Sequence, residues 1–145
     1  MGTTVTAGLV VGGTLYLGHV GDSRAYRFTG TTLEQLTEDH SLVGQMVRNG
    51  EITETEAMEH PRRNILTHAL GARPECLVQN VEVELVPGDV VLLCTDGLTG
   101  VVSREEILCE LRDRAPGEAL LRSLIDKANG RGGPDNITIV LYEHQ

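Results

Sequence analysis

Apolar and polar positions alternate with a period of two over the first part of the chain, a spacing that predicts half-buried strands. Thr3 to Val11 is β-branched and apolar, Gly12-Gly13 interrupts it, and Thr14 to Val20 resumes it, which predicts a hairpin closed by a glycine turn. Ala25 to Phe28 and Leu33 to Thr37, separated by a turn at Thr29-Gly30, extend this into an expected meander of about four strands.

The pattern changes at Glu38. Ser41 is placed to cap a helix that runs through Arg48 and stops at Asn49-Gly50, and Thr53 with Glu56 gives the capping-box spacing of a second short helix ended by Pro61. Arg63 to Leu70 reads as a further brief segment ending at Gly71, so residues 39–71 are expected to form a polar, helical insertion between two sheet-forming regions.

Strand spacing then returns. Val81, Val83 and Leu85 alternate with Glu82 and Glu84, and Pro87-Gly88 turns the chain into Val90 to Thr95, apolar enough for a central strand, so a second hairpin is expected. Ser103 with Glu106 opens a helix to about Arg114, and Pro116-Gly117 separates it from a second helix over Glu118 to Ala128. Ile107, Leu108 and Leu111 line one apolar face and Leu120, Leu121, Leu124 and Ile125 the other, faces that should pack on a sheet. Gly130 to Pro134 is a glycine-rich loop, and Ile137, Ile139, Val140 and Leu141 predict a last strand buried on both sides.

Composition narrows the class. A chain of 145 residues with 40% hydrophobic and 23% charged residues is one folded domain, and 3% aromatic content requires an aliphatic core. A net charge of −9 opposes binding to nucleic-acid phosphates or anionic lipid. The longest apolar run, Val90 to Cys94, is far too short to span a bilayer, and no secretory leader pattern opens the chain, so a soluble, cytoplasmic protein is expected. Cys76, Cys94 and Cys109 are odd in number and widely spaced, as reduced structural thiols would be.

Three aspartates follow strand patterns in turn-forming contexts: Asp22 in HVGDSR, Asp96 in LLCTDGLT and Asp135 in GGPDN. Singly, each fits a local hydrogen-bonding residue of a turn. Together they offer the hard carboxylate oxygens that Mg²⁺ or Mn²⁺ prefers. Arg24 is placed to pair with a neighbouring carboxylate and orient the Asp22 turn, and His19 reads as a hydrogen-bonded sheet histidine. Ser23 and Ser41 lie in no GxSxG elbow, no CxxxxxR loop is present, and Cys94 in its apolar strand is expected to be inert, which argues against serine-hydrolase and cysteine-phosphatase chemistry.

In order along the chain, HVGDSRAYRF, LTEDHSL, PGDVVLLCTDGLTG and GGPDNITIVL resemble consecutive motifs of the metal-dependent protein serine/threonine phosphatases of type 2C, the PPM family, and of its bacterial members in particular. The resemblance implies an α+β fold, a partial α-β-β-α sandwich with two mainly antiparallel sheets flanked by helices. It implies that Asp96 and Asp135 bind catalytic Mg²⁺ or Mn²⁺, that Asp22 serves a third, weaker metal, and that a metal-activated water attacks phosphorus in line without a phosphoenzyme. Asp39-His40 resembles the start of the family's flap, with residues 39–71 as a flap-like insertion. In that setting His40 is a weak candidate for protonating the leaving group, set against its reading as a surface loop histidine.

No segment matches the family's early DGMGGH-type motif, so the resemblance covers the second half of the catalytic domain. The expectation is therefore a phosphoserine/phosphothreonine phosphatase domain whose isolated chain is inactive or weakly active, acting on phosphoproteins when complete. Exposed sheet edges are expected to favour self-association. The competing expectation is a non-catalytic interaction or regulatory module that keeps the fold.

Overall fold

Twelve elements arise from these patterns in the computed structural model, which describes residues 1–145. The strands are β1 (Val5–Val11), β2 (Thr14–Val20), β3 (Arg24–Phe28), β4 (Leu33–Gln35), β5 (Gln79–Glu84), β6 (Val90–Cys94) and β7 (Ile139–Glu143). The helices are α1 (Leu42–Arg48), α2 (Glu54–Glu59), α3 (Asp96–Thr99), α4 (Arg104–Asp113) and α5 (Glu118–Gly130). The strands form two sheets, ordered β1-β2-β5 and β4-β3-β6-β7, with antiparallel pairing throughout.

The sheets face each other across an aliphatic core of Leu15, Leu17 and Leu85 against Ala25, Leu36 and Val91. On its other side the four-stranded sheet presents Tyr26, Phe28, Leu92 and Cys94 to Ile107, Leu111, Leu120 and Leu124 of α4 and α5. Burial on both faces is why Val90–Cys94 is a continuous apolar run. The outer face of the three-stranded sheet carries exposed Leu9 and its register partner Tyr16, with exposed Val11 two residues along. No helix is long and apolar enough to cross a membrane.

The local punctuation behaves as the residue types require. Gly12 and Gly13 both take positive φ, 57° and 86°, the backbone of a type I′ hairpin. Capping boxes form at Thr53/Glu56 and at Ser103/Glu106, and the Ser41 side chain accepts the Gly44 N–H.

Three expectations fail, two on pairing and one on burial. The four-strand meander is broken at Gly21-Asp22, where the chain leaves the first sheet after β2 and enters the second at β3. The hairpin expected around Pro87-Gly88 does not form, because β5 pairs with β2 while β6 pairs with β3 and β7. The last strand is not buried on both faces: Ile139 and Leu141 pack on the helix side, but Val140, register partner of Leu93 on the face toward the three-stranded sheet, is 53% exposed. The first two have one cause, since alternation specifies a strand's faces but not its neighbour; the third arises because the three-stranded sheet leaves that face of β7 uncovered.

Residues 39–71 lie between β4 and β5 and contain α1 and α2. Residues 63–70 form no helix. They run back along the start of the segment through a Ser41–Leu66 bridge, with Leu42 N–H donating to the Ile65 carbonyl at 2.9 Å.

Candidate metal centre and cleft

Asp96 stands at the C-terminal end of β6 as the first residue of α3. Two hydrogen bonds pin that end to the chain entering β7: Thr95 N–H donates to the Thr138 carbonyl (3.1 Å), and Thr138 N–H donates to Thr95 Oγ1 (3.0 Å). Gly97 completes the junction, because its missing side chain lets the Asn136 carbonyl approach within the space a Cβ would fill. Asp135 stands on that loop, its Oδ1 accepting the Asn136 N–H at 2.7 Å.

The Asp96 carboxyl feels that of Asp135. Burial, followed by the charge of Asp135 and a hydrogen bond to it, holds the Asp96 carboxyl above its ordinary range. Asp22, in the turn between the two sheets, is pushed up to about 6 by burial and then by the charges of Asp96 and Asp39. Asp22 thus feels the charge of Asp96, and Asp96 that of Asp135, a repulsion that a divalent cation would relieve. The three aspartates do not gather with other His, Cys, Asp or Glu side chains into a group of three or more able to hold an ion. Asp96 and Asp135 fit a cation as a two-carboxylate contribution, with Asp22 set apart from it.

Beside Asp22 and Asp96 lies a cleft of about 320 Å³. Asp22 and Asp96 border it on the sheet side, and residues of the 39–71 segment, including Val47, Arg48, Met58 and Arg63, border it opposite. Arg48, Arg63 and Arg104 line the cleft together with Asp22, Asp39 and Asp96; the Arg48 guanidinium donates to the Asp39 carbonyl at 2.8 Å and that of Arg104 to the Leu33 carbonyl at 2.9 Å. Arg24 grips Asp39 in a bidentate fork, Nε to Oδ1 at 2.9 Å and Nη2 to Oδ2 at 2.5 Å, and also donates to the Tyr26 hydroxyl at 2.9 Å. That pair ties the start of the segment to β3 two residues from Asp22.

His40 is not a surface histidine. It is only 8% exposed, its ring lies between those of His19 and His68, and it does not line the cleft. Its Nδ1 accepts the Gly21 N–H at 3.0 Å. The ring packs against His19 and His68 and leaves the cleft to its neighbours Asp39 and Ser41, which lends no support to its reading as a proton donor there. His19 is the hydrogen-bonded sheet histidine expected, with Thr6 Oγ1 at Nδ1 and the Glu38 carbonyl at Nε2, both at 2.8 Å. Burial pushes the Cys94 thiol up to about 12, as its apolar strand requires.

Sequence reasoning missed three contributors to this region: Asp39 as the partner of Arg24, the convergence of Arg48, Arg63 and Arg104, and the closure of Gly97 on Asn136. The first two join residues distant in sequence and leave no local signal. The last was visible only as an Asp-Gly and an Asp-Asn dipeptide at two loop ends.

Two antiparallel sheets packed face to face, with helices on the outer side of one, define an α+β sandwich class of fold. Comparison with known proteins gives the family. Residues 24–145 match the family described as Stage II sporulation protein E (SpoIIE). The serine/threonine phosphatase stp of Listeria welshimeri is 43% identical over 143 residues, which is 99% of this chain and 57% of that protein. The crystal structure of serine/threonine phosphatase Stp1 from Staphylococcus aureus superimposes with a TM-score of 0.94 at 36% identity, covering 100% of this chain and 57% of that one. The catalytic domain of serine/threonine phosphatase PstP, solved in complex with two manganese ions, matches at 40% identity and a TM-score of 0.86 over 99% of this chain and 59% of that one. The chain belongs to the type 2C (PPM) family of protein serine/threonine phosphatases. It spans 57% of the length of the curated Listeria relative.

Proposed function

We propose that this chain is the part of a phosphoprotein phosphatase that contributes Asp96 and Asp135 to a divalent-metal centre, the complete enzyme hydrolysing phosphoserine and phosphothreonine. The observation that carries the reading is the closure of the Asp96 loop on the Asp135 loop, through Gly97 against Asn136 and the paired Thr95–Thr138 hydrogen bonds, with Asp96 lining the cleft. When bound, Mg²⁺ or Mn²⁺ supplies an activated water and neutralises charge on the phosphoryl group. Asp96 and Asp135 hold the cation, and Asp22 offers a weaker additional carboxylate. Arg48, Arg63 and Arg104 draw a phosphorylated segment into the cleft and orient it by charge. Two carboxylates completed by water make a poorly organised site, so the isolated chain is inactive or weakly active.

The test is hydrolysis of p-nitrophenyl phosphate and of a phosphothreonine peptide with Mn²⁺, by this chain alone and together with the remaining part of the family domain. Activity that appears on complementation and disappears in Asp96→Ala and in Asp135→Ala supports the reading. Turnover indifferent to both substitutions overturns it.

The exposed Leu9, Val11 and Tyr16 on one sheet face favour a second reading, an interaction module that keeps the fold and associates with a partner or a second copy. A complemented chain that binds no Mn²⁺ yet associates through that face supports the module.

A further inference from the structure

We infer that His40 is a positioning residue that locks the Asp22 turn to the 39–71 segment through the backbone of Gly21. The lock is reciprocal. Gly21 N–H donates to His40 Nδ1 at 3.0 Å, and His40 N–H donates to the Gly21 carbonyl at 2.8 Å. Gly21 itself has φ +115°, and a Cβ there would lie 2.3 Å from Thr4 Cγ2, so this point on the turn can be held only by its backbone.

The same histidine reaches the returning leg of the segment, since its carbonyl accepts the Thr67 N–H at 2.9 Å. Its ring is fixed from both sides by His19, with centroids 4.9 Å apart, and by His68, 4.8 Å away. His19 is anchored in turn by its bonds to Thr6 and Glu38. The Arg24–Asp39 fork runs parallel, joining the residue two after Asp22 to the residue just before His40. One residue therefore holds the turn that bears Asp22 and both legs of the segment that walls the cleft. A displacement of the segment is transmitted to Asp22, and the seating of Asp22 biases the segment.

The lock needs an unprotonated Nδ1. The titratable and charged groups facing the ring are His19 on β2, His68 on the returning leg, Arg48 on α1 and Glu38 before it. Burial first, then His19, His68 and Arg48, disfavour the imidazolium, and Glu38 alone favours it. The ring environment therefore keeps the acceptor available at neutral pH.

That Asp22 serves a cation rests on the function proposed above; the tether does not. Backbone amide NMR of this chain tests it. His40→Phe keeps the ring volume and removes the acceptor, whereas His40→Asn keeps an acceptor near the Nδ1 position. Expected are joint shifts of the Gly21, Asp22 and Thr67 amides in His40→Phe with those of α4 and α5 unmoved, and return of the Gly21 amide toward its original position in His40→Asn. An Asp22 amide indifferent to His40→Phe, or no recovery in His40→Asn, overturns the inference. The unmutated chain gives an independent reading should a variant not fold. Long-range proton–nitrogen spectra must show His40 Nδ1 unprotonated at neutral pH, with acid titration of the ring moving the Gly21, Asp22 and Thr67 amides together. A protonated Nδ1, or movement of Gly21 alone, overturns it. The two readings fail separately, because a missing Mg²⁺ response at the Asp96 amide counts against the cation site and leaves the tether standing.

Discussion

Gly97 lies so close to Asn136 that a Cβ on it would sit 2.0 Å from the Asn136 carbonyl oxygen. No side chain fits there without separating the loop that carries Asp96 from the loop that carries Asp135. Gly97→Ala is expected to destabilise the chain by on the order of 2 kcal/mol, a melting-point drop of roughly 5 °C. It is also expected to weaken Mn²⁺ binding as strongly as loss of one carboxylate does. Thermal melts and Mn²⁺ line-broadening read the two effects separately, and a variant that melts early but binds Mn²⁺ unchanged would show that the loops are not held by this contact.

Without a cation, the crowded carboxylates oppose folding. The Asp96 carboxyl is raised by burial and by Asp135, so the folded chain favours its protonated form: that contribution to stability is present below the ordinary aspartate range and is lost as pH rises through the raised value. Asp96→Asn is accordingly expected to raise the melting temperature by a few degrees at neutral pH in chelator. The gain should vanish in acid, where the native carboxyl is already neutral. Equal gains at both pH values would contradict the electrostatic origin.

Asp89 is buried at the start of β6 and accepts from Arg27 Nε (2.9 Å), Arg27 Nη2 (2.7 Å) and Val86 N–H (3.0 Å) through one oxygen, Oδ2. Asp89→Ala strands a half-buried guanidinium and an amide, and should lower stability by about 3 kcal/mol. The double variant Arg27→Met/Asp89→Ala should recover part of that loss, since the unpaired charge is gone. Urea denaturation of the four members of the cycle gives the coupling energy, and simple additivity would show that the pair is energetically idle.

Glu106 closes the capping box of α4 and also pairs with Arg131 at the end of α5. The hydrogen bond from Arg131 leads in holding its carboxyl down at about 2, from an ordinary 4.5. Stability from this group is present above the ordinary value and is lost as pH falls from there toward about 2. The site is open enough to solvent that Glu106→Gln is expected to cost only about 1 kcal/mol at neutral pH. The difference should shrink to nothing at the acid end of that window, and chemical denaturation across the range checks it.

Features encoded within a few residues were legible in the sequence. The capping serines and threonines, the Gly12-Gly13 turn and the two-sided apolar run at Val90–Cys94 each carry their own physical reason and took the predicted form. What the sequence could not show was which strand lies beside which. The Pro87-Gly88 turn has the composition of a hairpin, yet it hands the chain from one sheet to the other. The candidate site divides the same way. Asp22, Asp96 and Asp135 could be put forward as candidates from type and context, whereas the grip of Arg24 on Asp39 and the burial of His40 between two other histidines depend on packing between distant segments.

The strand order has a consequence for how this chain tolerates change. Pairing of β2 with β5 and pairing of β3 with β6 both close a loop around the 39–71 segment. Once one pair has formed, the entropy of bringing the segment's ends together has been incurred, and the second sheet closes over the same loop at little further cost. Doubling such a loop adds only about 0.6 kcal/mol. Away from His40 and Asp39, which tie it to the Asp22 turn, the segment that walls the cleft is thus the part of the molecule where insertions and deletions disturb the core least, so the wall of the cleft can be redrawn while the end of β6 that carries Asp96 stays in place.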